Sequence, residues 1–192
     1  MKPEEIRYLF EKYKALLSGH FLLSSGFHSD TYFQSALILQ YPEEAEKLAR
    51  ALAEEVLRTI PKVDVVVSPA LGGIVIGHEM GRALRARAIF LERVDGKLVM
   101  RRGFSVEKLE KCLVVEDVIT TGLSTREVIE VVRSHGADVA GVASLVDRSG
   151  GKVDFGVPRF SLLSLEVKSQ QPEDCPMCKQ GMPVVKPGSR TK

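Results

Sequence analysis

From residue 63 to residue 146 the chain alternates short apolar runs with segments whose apolar residues recur every three or four positions. Runs of four to eight aliphatic, largely β-branched residues suit strands covered on both faces, and the spacing between them suits helices that lay one face on a sheet. The pattern predicts strands at 63–67, 86–91, 113–116 and 139–146, and helices at 73–84 and 125–135. Strands alternating with helices build a mainly parallel, twisted sheet flanked by helices on both faces, so the fold class is α/β. Ahead of this core, Ile6, Leu9, Phe10, Tyr13, Leu16 and Leu17 predict a helix over 3–17 that Gly19 ends. Residues 21–33 mix serine, glycine and aromatics and predict short strands around a turn at Ser24-Ser25-Gly26. Residues 42–58 place Ala45, Leu48, Ala49, Leu52, Ala53, Val56 and Leu57 on one helical face, with Pro61 as the stop. Gly136 is placed to cap the helix before it.

With 192 residues, 44% of them hydrophobic, the chain can bury one substantial core, and residues 1–192 read as a single domain. A formal charge of +2, with the basic residues dispersed, makes no case for a nucleic-acid or anionic-membrane partner. No apolar stretch approaches a membrane span, and the N-terminus opens on an acidic amphipathic segment. Three cysteines, one inside an apolar run, agree with a reducing compartment, so a cytoplasmic protein is expected.

The richest motif is Cys112-Leu-Val-Val-Glu-Asp-Val-Ile-Thr-Thr-Gly-Leu-Ser124. Its apolar strand delivers Glu116 and Asp117 to a carboxyl end, where open α/β sheets bind ligands. Thr120, Thr121, Gly122 and Ser124 then offer hydroxyls and close backbone N–H groups at the start of a helix, which attracts phosphate. Acids for ribose hydroxyls and a cradle for an anion thus stand one turn apart. Ser124-Thr125-Arg126-Glu127 also fits a simple capping box, which would leave the acid pair unexplained.

This stretch resembles the phosphoribosyl-pyrophosphate (PRPP) motif of the type I phosphoribosyltransferases, and its wording is most similar to the orotate phosphoribosyltransferases. The resemblance implies that fold with a small N-terminal hood over roughly 1–40, a base-side segment, and a tail from roughly 168 to 192. It implies a 5-phosphate on the loop from Thr120 to Ser124, ribose hydroxyls on Glu116 and Asp117, and PRPP contacts along Val118, Ile119 and Leu123. Leu123 stands where a smaller residue is common.

Ser68-Pro69-Ala70-Leu71-Gly72-Gly73 follows a strand and opens a helix, a second place for backbone to approach an anion. By resemblance Ala70, Leu71, Gly72 and Gly73 contact pyrophosphate. The basic segment from Glu92 to Gly103 reads either as a solvated hairpin or as a lid whose cations neutralise a departing pyrophosphate. By resemblance it is a lid shared between the subunits of a homodimer, with Arg93, Lys97 and Asp117 as catalytic residues. Val94 and Val99 replace two of the lid's polar residues, and Arg101 and Arg102 stand on its far side.

Asp147-Arg148 ends another strand at the same edge, and an Arg fork matches a carboxylate. By resemblance Arg148 binds orotate's carboxylate, while Thr120 and the backbone near Tyr32 and Phe33 meet the pyrimidine. Ser24 replaces a basic substrate contact. Mg²⁺ is the implied cofactor, carried mainly by PRPP with no dedicated protein ligands. The activity implied is transfer of phosphoribosyl from PRPP to orotate, giving orotidine 5′-monophosphate and pyrophosphate on the way to UMP. A phosphoribosyltransferase for another base, and a PRPP-sensing regulator that binds nucleic acid, are the alternatives. Cys175-Pro-Met-Cys178 has the spacing of half a zinc knuckle without a second pair and with no histidine beyond His135. A cysteine pair in a loose tail is expected, with a metal shared between subunits as the alternative. His20, His28, His78 and His135 read as scattered, the last two as helix residues, with His28 near the base side.

Overall fold

The computed structural model describes residues 1–23, 25–167 and 169–187. In chain order the elements are α1 (Pro3–Lys12), β1 (Leu16–Leu22), β2 (His28–Phe33), α2 (Ala36–Leu39), α3 (Pro42–Leu57), β3 (Val65–Pro69), α4 (Gly73–Leu84) and β4 (Arg87–Val94). They continue as β5 (Lys97–Met100), β6 (Lys111–Ile119), α5 (Leu123–Ser134), β7 (Asp138–Asp147), β8 (Arg159–Ser164), β9 (Ser169–Gln170) and α6 (Pro176–Lys179). Six strands form one sheet in the order β5-β4-β3-β6-β7-β8, parallel except for the antiparallel edge strand β5. The chain builds outward one way from β3 to β4 and the other way from β6 to β8. The loops after β3 and β6 therefore diverge where the strand order reverses, the place such sheets keep for ligands.

Period-two alternation divides the core, as two-sided burial requires. Val66, Leu113, Val115, Ala143 and Leu145 pack with Phe10, Leu48, Leu52, Ile76 and Met80 of α1, α3 and α4. On the other face Val65, Val67, Val114 and Val142 meet Val128, Ile129 and Val132 of α5. A mainly parallel sheet between helices is thus present as its spacing predicts.

Several boundaries differ, each for a physical reason. The first helix stops at Lys12 and not at residue 17; Lys14 turns left-handed (φ 55) and Leu16 and Leu17 enter β1, opposite Phe33 and Tyr32. Short apolar runs satisfy helix and strand spacing alike, and pairing with β2 decides. Gly19 accordingly lies within a strand, at a slip in register between Ser18 and Phe21. β6 runs on to Ile119, so the acid pair belongs to the strand, and α5 begins two residues early with Gly122 as its N-cap. Ser124 is therefore no cap. The basic segment is an ordered hairpin: β4 passes Leu91, turns at Asp95-Gly96 (φ 48 and 81), and returns as β5. Two positive φ angles fit the tight turn favoured by strand twist.

β1, β2 and β9 form a separate antiparallel sheet, the hood. The tail is not loose: β9 pairs with β2, Val185 exchanges backbone hydrogen bonds with His20 and Leu22, and Cys175 is fully buried. Among the described residues no helix is long and apolar enough to cross a membrane.

Candidate active site

Glu116 and Asp117, adjacent on a strand, point different ways. Glu116 is buried and accepts the Ser124 hydroxyl (2.8 Å) on Oε2 and the Asp117 N–H (3.3 Å) on Oε1. Burial, with the Asp117 charge adding to it, pushes the Glu116 carboxyl well above the usual range. Asp117 lies against the loop after β3, where a Cβ on Gly72 would fall 2.7 Å from its Oδ1. A side chain there would have to push the carboxylate aside, so the two loops meet at Asp117. The Ala70–Leu71 peptide in the same loop is cis, and Leu71 is exposed.

The loop after β6 is held from below. Gly122 takes φ 74 as N-cap of α5, and a Cβ there would strike Val153 and Phe155 at 2.7 and 2.9 Å. Arg126 donates to the Thr121 carbonyl (2.9 Å) and the Asp154 carbonyl (3.1 Å) and lies over the Phe155 ring. That clamp was not visible in the motif, because residues 154 and 155 reach it only through the fold. Leu123 points outward and leaves the loop's backbone accessible. The first N–H groups of α5 lack intrahelical acceptors, so the loop carries unsatisfied donors and the positive end of a helix dipole. Val118 and Ile119 put their side chains into the core, which leaves only their backbone for a ligand.

A cleft of ≈ 560 Å³ opens beside this loop, lined by Tyr32, Thr120, Thr121, Arg148, Ser149 and Lys152 among others. Arg148 is its principal cation. Its Nε is buried without a hydrogen-bond partner among the described residues, and desolvation lowers its pKa although Tyr32 and Asp30 act the other way. An orphaned guanidinium N–H at a cleft wall calls for an anionic acceptor from outside the chain. The neighbouring Asp147 is not its ion-pair partner. Asp147 accepts from Ser149 N–H (2.8 Å), Ser149 Oγ–H (2.6 Å) and Gly151 N–H (3.2 Å), and pairs with Arg159 (3.1 Å). These bonds fix the loop that presents Arg148, a positioning role for Asp147 that its dipeptide context did not reveal.

Other expected residues fall elsewhere. Phe33 turns its ring into the core against Phe10 (6.1 Å, edge-on), while its neighbour Tyr32 faces the cleft. His28 is buried beside His20 and the tail cysteines and does not line the cleft. Arg93 is tied to Glu127 of α5 and to the Gly96 carbonyl, and Lys97 stands opposite Val94 across the hairpin. Arg102 is paired with Glu92 (2.8 Å) and lies over Phe90. Ser24 lies outside the described residues.

The family model for the phosphoribosyl transferase domain matches residues 37–171. Over 190 residues, 99% of each chain, the protein is 52% identical to the orotate phosphoribosyltransferase of Caldanaerobacter subterraneus subsp. tengcongensis. The Carboxydothermus hydrogenoformans orotate phosphoribosyltransferase is 55% identical over 182 residues, 95% of each chain. The chain belongs to the orotate phosphoribosyltransferase family. A solved orotate phosphoribosyltransferase, from Aeropyrum pernix, superposes with a TM-score of 0.72 at 27% identity, covering 84% of this chain and 94% of that one. Adenine phosphoribosyltransferase from Thermoanaerobacter pseudethanolicus shares the fold at 18% identity, with a TM-score of 0.60 and coverage of 70% and 88%. One fold therefore serves enzymes named for different bases, so the base must be argued from the site and not from the fold.

Proposed function

We propose that this protein transfers the 5-phosphoribosyl group of PRPP to orotate, releasing pyrophosphate and orotidine 5′-monophosphate, a step toward UMP. The observation that carries the orotate assignment is the buried, unpartnered Nε of Arg148 on the wall of the cleft beside Thr120 and Thr121. A planar carboxylate on the base is the acceptor that matches an Arg fork, and a purine offers none.

Orotate brings its own nucleophilic nitrogen. The C1–oxygen bond to pyrophosphate breaks as the C1–nitrogen bond forms, so the chain's work is alignment and charge stabilisation. The loop from Thr120 to Ser124 takes the 5-phosphate at the α5 N-terminus, with Thr120 also facing the base. Asp117 takes a ribose hydroxyl and steadies positive charge developing at the anomeric carbon, while Glu116, held by Ser124, forms the floor. The Ala70–Gly73 loop lies against the pyrophosphate. A half-buried carboxylate beside a phosphate loop suits a hard, largely hydrated cation, so Asp117 fits Mg²⁺ held mainly by PRPP, where the ion would offset phosphate charge. Arg93 and Lys97 serve as lid cations across a homodimer interface, and the setting is cytoplasmic.

The test is loss of orotate's ultraviolet absorbance with PRPP and Mg²⁺, run beside uracil, adenine and hypoxanthine. Turnover confined to orotate is expected. Turnover of another base would keep the PRPP site and overturn the substrate, and no turnover with any base would favour a PRPP-sensing regulator, which a salt-dependent gel shift would reveal.

A further inference from the structure

We propose that His20, His28, Cys175 and Cys178 form a tetrahedral zinc site that fastens the C-terminal segment to the hood. His20 Nε2 and His28 Nδ1 stand 2.7 Å apart. Cys178 Sγ lies 3.2 Å from His28 Nδ1 and 3.6 Å from His20 Nε2, and Cys175 Sγ lies 3.5 Å from His20 Nε2. All four donor atoms fall within 4.8 Å of one another. Zinc bonds of about 2.0–2.1 Å to nitrogen and about 2.3 Å to sulfur set tetrahedral edges of roughly 3.4 Å between nitrogens, 3.6 Å between nitrogen and sulfur, and 3.8 Å between sulfurs. Both sulfurs stand at the nitrogen–sulfur edge from His20, and Cys178 lies about 0.4 Å inside that edge from His28. The two imidazoles would part by less than about an ångström to admit the ion.

The protonation pattern agrees. His20 Nδ1 is 2.9 Å from the Met182 carbonyl, which can only accept, so Nδ1 carries the proton and Nε2 turns its lone pair toward the cluster. A second hydrogen bond that fixes the ligating tautomer in this way is the usual companion of a metal-bound histidine. Two thiols and two imidazoles are soft to intermediate donors, suited to Zn²⁺ and poorly suited to Mg²⁺. Four protein donors leave no open coordination position, which makes the site structural and not catalytic. Cys175 begins the short helix α6, so the Cys-x-x-Cys spacing turns both sulfurs toward the hairpin that carries the histidines.

The rest of the tail shows what such a site would fasten. Val185 N–H donates to the His20 carbonyl (2.8 Å), Leu22 N–H donates to the Val185 carbonyl (2.9 Å), and β9 pairs with β2 at Ser29 and His28. β9 has only two residues, and so small a sheet gains little from hydrophobic burial; small scaffolds commonly rely on a metal or cross-link instead. β2 also carries Tyr32 to the base-side cleft, so the metal would stiffen one wall of the active site from behind. All four ligands lie outside residues 37–171, the segment matched by the family model, so the site is an addition to the shared fold. The inference is independent of the substrate reading.

Full-length protein carrying no histidine tag and purified without chelator is expected to hold about one zinc per chain by elemental analysis. Replacing the metal with Co²⁺ should give the intense visible bands of a tetrahedral ion together with sulfur-to-metal charge transfer. Cys175→Ser and His28→Gln should each drop zinc below about a tenth per chain, while His78→Gln, on the exposed side of α4, keeps it. A zinc-selective chelator in the presence of Mg²⁺ should lower Tm by about 5–10 °C and open the tail to protease. If the variants fail to fold, the Co²⁺ spectrum of the unaltered chain decides. Unaltered protein that stays metal-free after incubation with Zn²⁺, an octahedral Co²⁺ spectrum, or a Cys175–Cys178 disulfide in freshly purified protein would overturn the proposal.

Discussion

Arg148 on the cleft wall and Glu116 near the carboxyl end of β6 each bury a titratable group, and each leads to a measurable outcome. For Arg148, losing a charge-assisted fork of about 2–3 kcal/mol predicts that Arg148→Ala raises the KM for orotate about 100-fold. The KM for PRPP should change by less than about threefold, since steady-state kinetics would register only the base side. Equal losses for both substrates would remove Arg148 from the base pocket. For Glu116 the raised pKa fixes the sign of a stability effect. A folded-state acid with a raised pKa contributes fully below its unfolded pKa of about 4.3 and loses that contribution as pH rises toward the folded value. Glu116→Gln, which cannot ionise, should therefore melt higher than the parent, by an amount that grows as pH rises from about 4 and reaches roughly 1–3 kcal/mol. A melting difference independent of pH would rule out burial of the charge as its origin. At this scale the sequence marks chemistry better than direction. Glu116, Asp117 and Arg148 are legible because each ends an apolar run at one sheet edge. Neighbours on a strand face opposite ways, so with Tyr32 facing the cleft the Phe33 ring enters the core and only its backbone is left for the base side. Asp147 and Arg126 gain their roles from Ser149, Gly151, Arg159 and Asp154, contacts that local pattern does not report.

Among the elements, the β4–β5 hairpin carries the clearest tension between structure and proposed chemistry. Arg93, the proposed lid cation, is held by Glu127 on α5, with side chains 38% and 28% exposed. To reach pyrophosphate it must leave that partner. Partly exposed ion pairs are worth about 0.2–1 kcal/mol, so Glu127→Gln should lower the KM for PRPP by up to about fivefold and leave the KM for orotate unchanged. Arg93→Ala should reduce kcat by at least about tenfold, consistent with loss of a group that stabilises departing charge. An unchanged kcat in Arg93→Ala would show that the hairpin is only an edge of the sheet. Asp95-Gly96 announces the turn itself, since that dipeptide suits its two positive φ angles. The end of α1 was not announced, because Leu16 and Leu17 fit helix and strand equally until β2 pairs with them.

For the molecule as a whole, four parallel strands and the helices between them were readable from residues 63–146, while the fifth, β8, went unread. The hood was read only in part, as short strands within 21–33 without their start at Leu16 or their link to the tail. What joins hood and tail spans 155 residues between His20 and Cys175. Local spacing cannot express such a pairing, which is why the tail cysteines look like half of a site. The fold shared with an adenine phosphoribosyltransferase makes a related point: a common sheet does not by itself name the base.

The return of Val185 to the strand containing His20 also orders events in time. Residues 16–33, which form the first hairpin, leave the ribosome long before β9 and Val185 do. Until then the hairpin waits with an open edge that neighbouring chains can pair with, so the nascent protein is most exposed to misassembly at the strand that later carries Tyr32 to the cleft.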